Sequence, residues 1–569
     1  PRTQIPNLNR LNHLKFLIEA MIQNQPSDWW KHAVFYQIYP RSFYDSNNDG
    51  IGDLNGVIEK LDYLNDGQGG GLGIDAIWFS PIFKSPQRDF GYDTSDYCDI
   101  DPGYGKLADY DRLVEECHRR GIWIVLDLVL NHSSDLHPWF EESKQDRTNP
   151  KQDWYVWVDP KDDGSVPNNW LSLFGGKAWT IIEARGQYYM HSFLKEQPDL
   201  NWYNPEVREE LAKVVRFWMN RGTDGFRLDT VNFFAYDQQL RDNPQRDPSE
   251  PILEKGQANN PYFHQNTIYS KDRPENLEFI HFLRELFDEI PWTSSIGEMG
   301  SNFGLEGTIR NTAEYVKGQK HLHMAYTFAM LSTEMNAGYF SKIVELTEHH
   351  FQDGWPCWSL GNHDTRRLMS RFECKGEREG FQQMMLMLLL CLRGTPILYY
   401  GEELDMEEII LDREQIQDPL GIYFWPEHKG RDGCRTPFPW NSEEPNQGFN
   451  QGAEPWLSGT SPICLDQAEE MQESTLHLLR EMLKIRKSEP ALQSGSYRLH
   501  LLQEDCLIFQ RETDQQSIIV AANFSVVEQR LDHDFSNCSD LTPKTMSRRG
   551  RVDGTYLVLP PSGFFIAKH

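Results

Sequence analysis

An alternation of two patterns is what most limits the folds open to this chain. From residue 33 onward, short apolar runs rich in β-branched and aromatic residues alternate with helical patterns. The runs stand at 33–40 (AVFYQIYP), 74–81 (IDAIWFSP), 122–130 (IWIVLDLVL), 225–230 (GFRLDT), 294–299, 324–329, 357–360 and 396–400. Helical patterns lie between them, near 57–64, 110–120 and 205–221. Strands joined through helices run parallel, because such a crossover returns the chain to the end it left. About eight repeats of that unit predict an α/β fold, a (β/α)8 TIM barrel. Such a barrel gathers the C-terminal ends of all its strands on one face, where active sites are built.

Two stretches break the alternation. Residues 133–202 carry Trp139, Trp154, Trp157, Trp170 and Trp179 with no repeating unit, and a loop of that length is expected to be an inserted domain. A second insertion, about 233–276, is polar and rich in Pro, Asn, Asp and Gln. Both follow barrel strands and should shape the pocket. Beyond a helix near 476–487, runs at 517–523, 556–559 and 564–567 are spaced as strands. The expected organisation is a helical extension over 1–28, the barrel over 29–132 and 203–490, the insert over 133–202, and an antiparallel β-sandwich domain over 491–569. In the extension, Leu8, Leu11, Leu14, Ile18, Met21 and Ile22 recur at helical spacing. Their apolar face has two candidate partners, the main domain or another subunit of a homo-oligomer.

Composition removes some classes. A net charge of −29 argues against nucleic acid and anionic membranes as partners. The longest apolar run, 384–392, is about nine residues where a bilayer span needs about 20. The nine cysteines form no CxxC pair and read as reduced thiols of a cytoplasmic protein.

The strand ends carry the chemistry. The third ends in Asp127 followed by Asn131 and His132, the fourth in Arg227 and Asp229, the fifth in Glu298, the seventh in His363 and Asp364, the eighth near Glu402 and Glu403. Arg227 and Asp229 are two apart and so share one side of their strand. A cation there is expected to keep Asp229 ionised, as a nucleophile requires. Acids crowded together cannot all ionise, so one pKa must rise. One ionised and one protonated carboxyl is what glycosidic bond cleavage needs.

With these motifs the sequence resembles the α-amylase superfamily of glycoside hydrolases, in its α-glucosidase and oligo-1,6-glucosidase branch. The motifs occur in order: AVFYQIYPRSF at 33–43, DLVLNH at 127–132, QPDLNW at 197–202, GFRLDT at 225–230, GEMG at 297–300 and GNHD at 361–364. The resemblance implies Asp229 as nucleophile, Glu298 as acid/base and Asp364 as transition-state stabiliser. It implies a glucose subsite of Asp89, Tyr92, His132, Arg227 and His363, with Tyr92 as stacking ring. Arg435, in RDGCRTPFPW at 431–440, is expected to pair with Asp89 and close the far end of that subsite. Phe174 and Phe193 of the insert are candidates for touching the sugar beyond the cut. The residue after the nucleophile is Thr230, and in this branch a polar residue there goes with α-1,4 linkages.

The function so implied is an exo-acting, retaining α-glucosidase for maltose and maltooligosaccharides, with transglucosylation and no organic cofactor. The alternatives are a sucrose-active or isomerising glucosyltransferase of the same family, or a non-catalytic ectodomain like those of amino-acid transporter heavy chains. Finally, DSNNDGIGDLNG at 45–56 places Asp45, Asn47, Asp49, the Ile51 carbonyl and Asp53 at EF-hand spacing, but ends in Gly56 where a bidentate Glu would stand. The resemblance supports a structural Ca²⁺ or Mg²⁺ there. A turn held by side-chain to backbone hydrogen bonds alone is the other reading.

Overall fold

Eight parallel strands form the centre of the computed structural model, which describes residues 27–247, 259–301, 303–372, 378–533, 535 and 537–569. They are β1 (Phe35–Ile38), β2 (Ala76–Phe79), β3 (Trp123–Leu128), β4 (Gly225–Leu228), β5 (Ser294–Met299), β6 (Met324–Thr327), β7 (Cys357–Ser359) and β8 (Thr395–Tyr399). Their order is β6-β5-β4-β3-β2-β1-β8-β7, and a parallel bridge between Ala325 and Pro356 joins the two ends into a barrel. The expected runs overshot several strands by a residue or two at each end, and all eight are present. The helical pattern of 1–28 lies outside the described residues.

The strands read as unbroken apolar runs because both of their faces are buried. Alternate residues (Phe35, Ala76, Trp78, Val125, Ile296, Tyr326) form the barrel interior, and Trp29 stacks on Trp123 with ring centroids 4.5 Å apart at its N-terminal end. The intervening residues (Tyr36, Ile77, Ile124, Phe226) pack outward under the helices. Local signals place those helices. Pro205–Met219 starts where the Asn204 side chain accepts from the Glu206 N–H and Pro205 supplies a preset φ. Its buried Leu211, Val214, Val215 and Trp218 lie on one face toward the strands.

Between β3 and β4 the chain forms a three-stranded antiparallel sheet of Trp157–Val158, Trp179–Ile182 and Gln187–Met190. Trp170 and Trp179 form its own small core, whereas Trp139, Trp154 and Trp157 pack against the main one. The C-terminal region is two antiparallel sheets of five and three strands, with Ile508, Ile519, Leu531, Leu557 and Phe565 packed together between them. The strands Ser496–Gln503 and Cys506–Thr513 were not expected. The first is an edge strand, largely exposed, so its sequence SYRLHLLQ lacks a continuous apolar run. Among the described residues no helix is long and apolar enough to cross a membrane.

Candidate active site

Strand register builds the site. Asp127 on β3 lies opposite Arg227 on β4, and Glu298 on β5 opposite Tyr326 on β6. All four side chains therefore enter the top of the barrel at neighbouring levels. The Arg227 guanidinium is fully buried, with Nη1 2.8 Å from both Asp127 Oδ1 and Asp229 Oδ1. Its Nη2 donates to the Tyr326 hydroxyl at 3.2 Å and pairs closely with Glu298. Trp78 lies against it, 5.0 Å from ring centroid to guanidinium carbon. One cation thus bridges three acids, a role wider than the Arg227–Asp229 pair expected from the sequence.

The turn after β4 is strained. Thr230 is β-branched yet adopts φ 41°, ψ 46°, in the left-handed region. Such a conformation costs on the order of 1–3 kcal/mol and persists only when its surroundings enforce it. Here the Thr230 N–H donates to Glu298 Oε2 at 3.3 Å and its hydroxyl to Asp229 Oδ2 at 3.1 Å. The strained residue ties the two carboxyls to one peptide.

The residues expected to bind substrate fall into two groups. Asp89, Tyr92, His132, Phe174, Phe193 and Thr230 line one cavity together with Asp229, Glu298 and Asp364. Arg227, His363 and Arg435 do not line it but stand behind it. The His363 and Tyr92 rings lie side by side, centroids 5.3 Å apart and planes 1° from parallel, with His363 Nε2 2.5 Å from the Tyr92 hydroxyl. The Tyr92 hydroxyl donates to Asp127 Oδ2 at 3.0 Å, so two partners fix it.

The expected Arg435–Asp89 pair is corrected. Arg431 makes that contact, Nη2 to Asp89 Oδ1 at 2.8 Å, while also reaching Asp364 Oδ1 at 2.9 Å and Asp418 Oδ1 at 2.6 Å. Arg435 instead donates to the His363 carbonyl at 2.8 Å and to Asp364 at 3.1 Å. The two arginines flank the single 3-10 turn Asp432–Cys434, which sends both side chains toward Asp364. Arg431, and not Arg435, is also anchored at Asp418. Glu402 and Glu403 are also corrected: they do not line the cavity, and Glu403 accepts from the hydroxyls of Tyr36 and Tyr63 at 2.5 and 2.6 Å. Gln197, inside the QPDLNW motif, was passed over as a single residue; it lines the cavity and donates to Asp89 Oδ2 at 3.1 Å.

Burial dominates the electrostatics. It pushes Asp229 up to about 7 despite Arg227, and Glu298 likewise to about 7. Asp127 rises to about 6 for the same reason. The expectation that Arg227 alone keeps Asp229 ionised is therefore revised: its charge is divided among three acids and only partly offsets desolvation. Asp364 goes the other way. Burial would raise it, but His363, Arg431 and Arg435 reverse the effect and hold it well below the usual carboxylate range. His363 is itself kept neutral by burial, so at neutral pH the two guanidinium groups are what keep Asp364 charged. Of the three candidate catalytic acids, Asp364 is firmly ionised and the other two titrate near neutrality.

Tyr326 adjusts that balance. Its hydroxyl donates to Glu298 Oε1 at 3.0 Å, which favours the charged carboxylate. Tyr326→Phe should raise the Glu298 pKa, moving the alkaline limb of the kcat/KM profile up by ~0.5–1 pH unit. An unmoved limb would show that this hydroxyl serves packing alone.

No residue of the 45–56 loop lines this cavity. Asp45 accepts from the N–H groups of Asn48, Asp49 and Gly50 and from Asn450 Nδ2. Asn47 accepts from Asp49 N–H, Asp49 from Ile51 N–H, and Asp53 caps the helix Leu54–Glu59 through Gly56 N–H. The hydrogen-bonded turn is thus fully formed. Its residue types, three carboxylates, an amide and a carbonyl, are those a hard cation takes, yet among the described residues no group of three or more His, Cys, Asp or Glu side chains is placed to hold a metal ion.

Comparisons with known proteins fit this geometry. Residues 37–495 match the model of the alpha amylase catalytic domain. A probable alpha-glucosidase of Rhizobium meliloti is 46% identical over 88% of this chain and 90% of that protein. The oligo-1,6-glucosidase of Parageobacillus thermoglucosidasius is 37% identical over 87% of this chain and 90% of its own length. Among solved structures, the alpha-glucosyl transfer enzyme XgtA superposes with a TM-score of 0.88 at 44% identity, covering 95% of this chain and 99% of that one. Trehalulose synthase MutB of Pseudomonas mesoacidophila gives 0.83 at 32% identity, covering 95% and 99%.

Proposed function

Since the chain belongs to the α-amylase family and is an enzyme of glycoside hydrolase and glucosyltransferase chemistry acting on α-glucosides, we propose that it works chiefly as a retaining α-glucosyl transferase. It takes the terminal glucosyl group of a short α-glucoside and passes it to a sugar or alcohol hydroxyl, with water as the competing acceptor. In this reading Asp229 attacks the anomeric carbon as the α-glycosidic bond breaks, and Glu298 protonates the departing oxygen. Glu298 then takes the acceptor's proton as that hydroxyl displaces Asp229. Asp364, held ionised by Arg431 and Arg435, steadies the positive charge on the ring. Asp89, Arg431 and Gln197 close the far end of the glucose subsite, which supports cleavage of one terminal residue.

The observation that supports transfer over hydrolysis is the aromatic lining of the cavity. Phe174, Phe193, Phe233, Phe263 and Phe328 all line the cavity. Aromatic faces hold an organic acceptor in place and exclude water. The similarity to an alpha-glucosyl transfer enzyme and to a sucrose-isomerising synthase supports the same reading. Hydrolysis of α-1,4 bonds in maltose is the second reading, favoured by Thr230 after the nucleophile. A product profile on maltose, isomaltose, sucrose, trehalose and maltotriose separates them. We expect transfer products to exceed free glucose from the preferred donor at millimolar concentration; glucose alone from every donor would sink the transferase reading.

We also propose that the 45–56 loop binds one Ca²⁺ or Mg²⁺ through Asp45, Asn47, Asp49, the Ile51 carbonyl and Asp53. The ion would brace the turn between β1 and the next helix. One equivalent of metal by elemental analysis, and a Tm several degrees lower after chelation, are expected. A metal-free protein with unchanged Tm would leave the hydrogen-bonded turn as the whole account. The eight described cysteines are all free thiols, which supports a reducing, cytoplasmic setting.

A further inference from the structure

Two segments far apart in the chain meet over the cavity. One is the turn 172–176 of the insert, closed by a bridge between Leu171 and Lys177. The other is the short helix Pro419–Phe424, in the long connection after β8. Each sends one side chain into the cavity: Phe174 and Leu420 line it and pack together with Phe193 and Phe233. The base of the helix is tied to the site. Asp418, the residue before it, pairs with Arg431, which also holds Asp89 and Asp364. The same connection is pinched beside that pair, where a Cβ at Gly421 would fall 2.9 Å from Gly430 Cα. The helix therefore stands on a narrow neck.

The seam between the two segments is a ring on a glycine. A Cβ at Gly175 would fall 2.3 Å from Tyr423 Cε1, so the ring rests directly on the backbone there. Gly175 also has φ 104°, which favours glycine for the turn itself. The next residue separates these two demands. Gly176 has φ 77°, but a Cβ there would lie 3.8 Å from the Tyr423 hydroxyl, at ordinary contact distance. Tyr423 is 60% exposed, so burial adds little to the contact and it can open at small cost. The acids of the cleft are buried by comparison, Asp229 and Glu298 at 5% and 4% exposure. A cover shut over such a site keeps water from a reactive intermediate.

We infer that Tyr423 and Gly175 form a clasp that shuts this cover over the glucosyl-enzyme and so sets the share of glucosyl groups lost to water. This rests on the glucosyl-transfer reading above and names residues that decide between its two acceptors. The test uses p-nitrophenyl α-glucoside at millimolar concentration as both donor and acceptor. Every turnover releases one nitrophenol, whereas glucose appears only when water is the acceptor. The ratio of glucose to nitrophenol is therefore the hydrolytic share, and it does not depend on how much of a preparation is folded. In Tyr423→Ala, which removes the ring, and in Gly175→Ala, which displaces it, that share should rise at least about twofold. Tyr423→Phe keeps the ring and should keep the native share. Gly176→Ala imposes a similar backbone strain without touching the ring, and should also leave the share unchanged. Gly175→Ala added to Tyr423→Ala should raise it no further, since no ring is left to displace. A native share preserved in both Tyr423→Ala and Gly175→Ala, or an equal rise in Gly176→Ala, would overturn the clasp and leave glucosyl transfer standing. Glucose equal to nitrophenol already in the native enzyme would instead sink the transfer reading, and the clasp with it.

Discussion

Replacing Asp229 by alanine is expected to lower kcat on p-nitrophenyl α-glucoside by about 10³-fold or more, and added azide to restore turnover as β-glucosyl azide. The nucleophile supplies the bond that splits one hard displacement into two easier ones. Without it, no group lining the cavity can replace it: Asp364 is tethered to two guanidinium groups and Glu298 to Arg227 and Tyr326. Azide is small enough to enter the space the carboxylate leaves, and attacks from the same side. The product is therefore inverted relative to the α-glucoside. NMR of the azide product is the check. An α-azide, or undiminished turnover in the variant, would remove Asp229 from the nucleophile's role.

The second large effect is at Glu298. Glu298→Ala should slow cleavage of maltose by roughly 10²–10⁴-fold, the usual contribution of a positioned general acid. Donors with good leaving groups, such as p-nitrophenol, should suffer far less in the first step, because they need no proton. Azide should here yield α-glucosyl azide, by attack on the glucosyl-enzyme. The native pH profile follows from the same pair. Asp229 must be ionised and Glu298 protonated, and burial places both near 7, so kcat/KM should form a narrow bell about that pH. Glu298→Ala should erase the alkaline limb. A flat profile from pH 5 to 9 in the native enzyme would contradict the electrostatics described.

The same burial has a stability consequence with a definite sign. Folded pKa values near 7 lie above the ordinary 3.8 and 4.5, so these acids bind protons more tightly in the folded state. Their contribution favours the fold at low pH and is lost as pH rises through about 7. Neutral amides at Asp229 or Glu298 should therefore raise Tm at pH 8 while abolishing activity, with little gain at pH 4. The site is kept at a cost to the fold, a common trade at functional sites.

Much of this was legible in the chain itself. The eight strands, the insert after β3 and the three acids of the cleft follow from residue order, because apolar period and strand-end position are local properties. The acids' common destination is then a consequence of the barrel, which puts every strand's C-terminal end on one face. What escaped depends on contacts between distant segments. Arg431, not Arg435, reaches Asp89, far away in the chain. Trp78, Asp127 and Tyr326, from three strands, converge on Arg227 and make it the hub of the site. Glu402 and Glu403 sit at a strand end as catalytic acids do, and Tyr36 and Tyr63 draw Glu403 away.

By itself the sequence determined the barrel, the identity of the acids and the family to which they belong, since each is carried by pattern along the chain. Tertiary structure alone decided how charge is shared among those acids. Proton affinity depends on burial and on the distance to every neighbouring charge, and both are set only when strands far apart in the chain close into one ring.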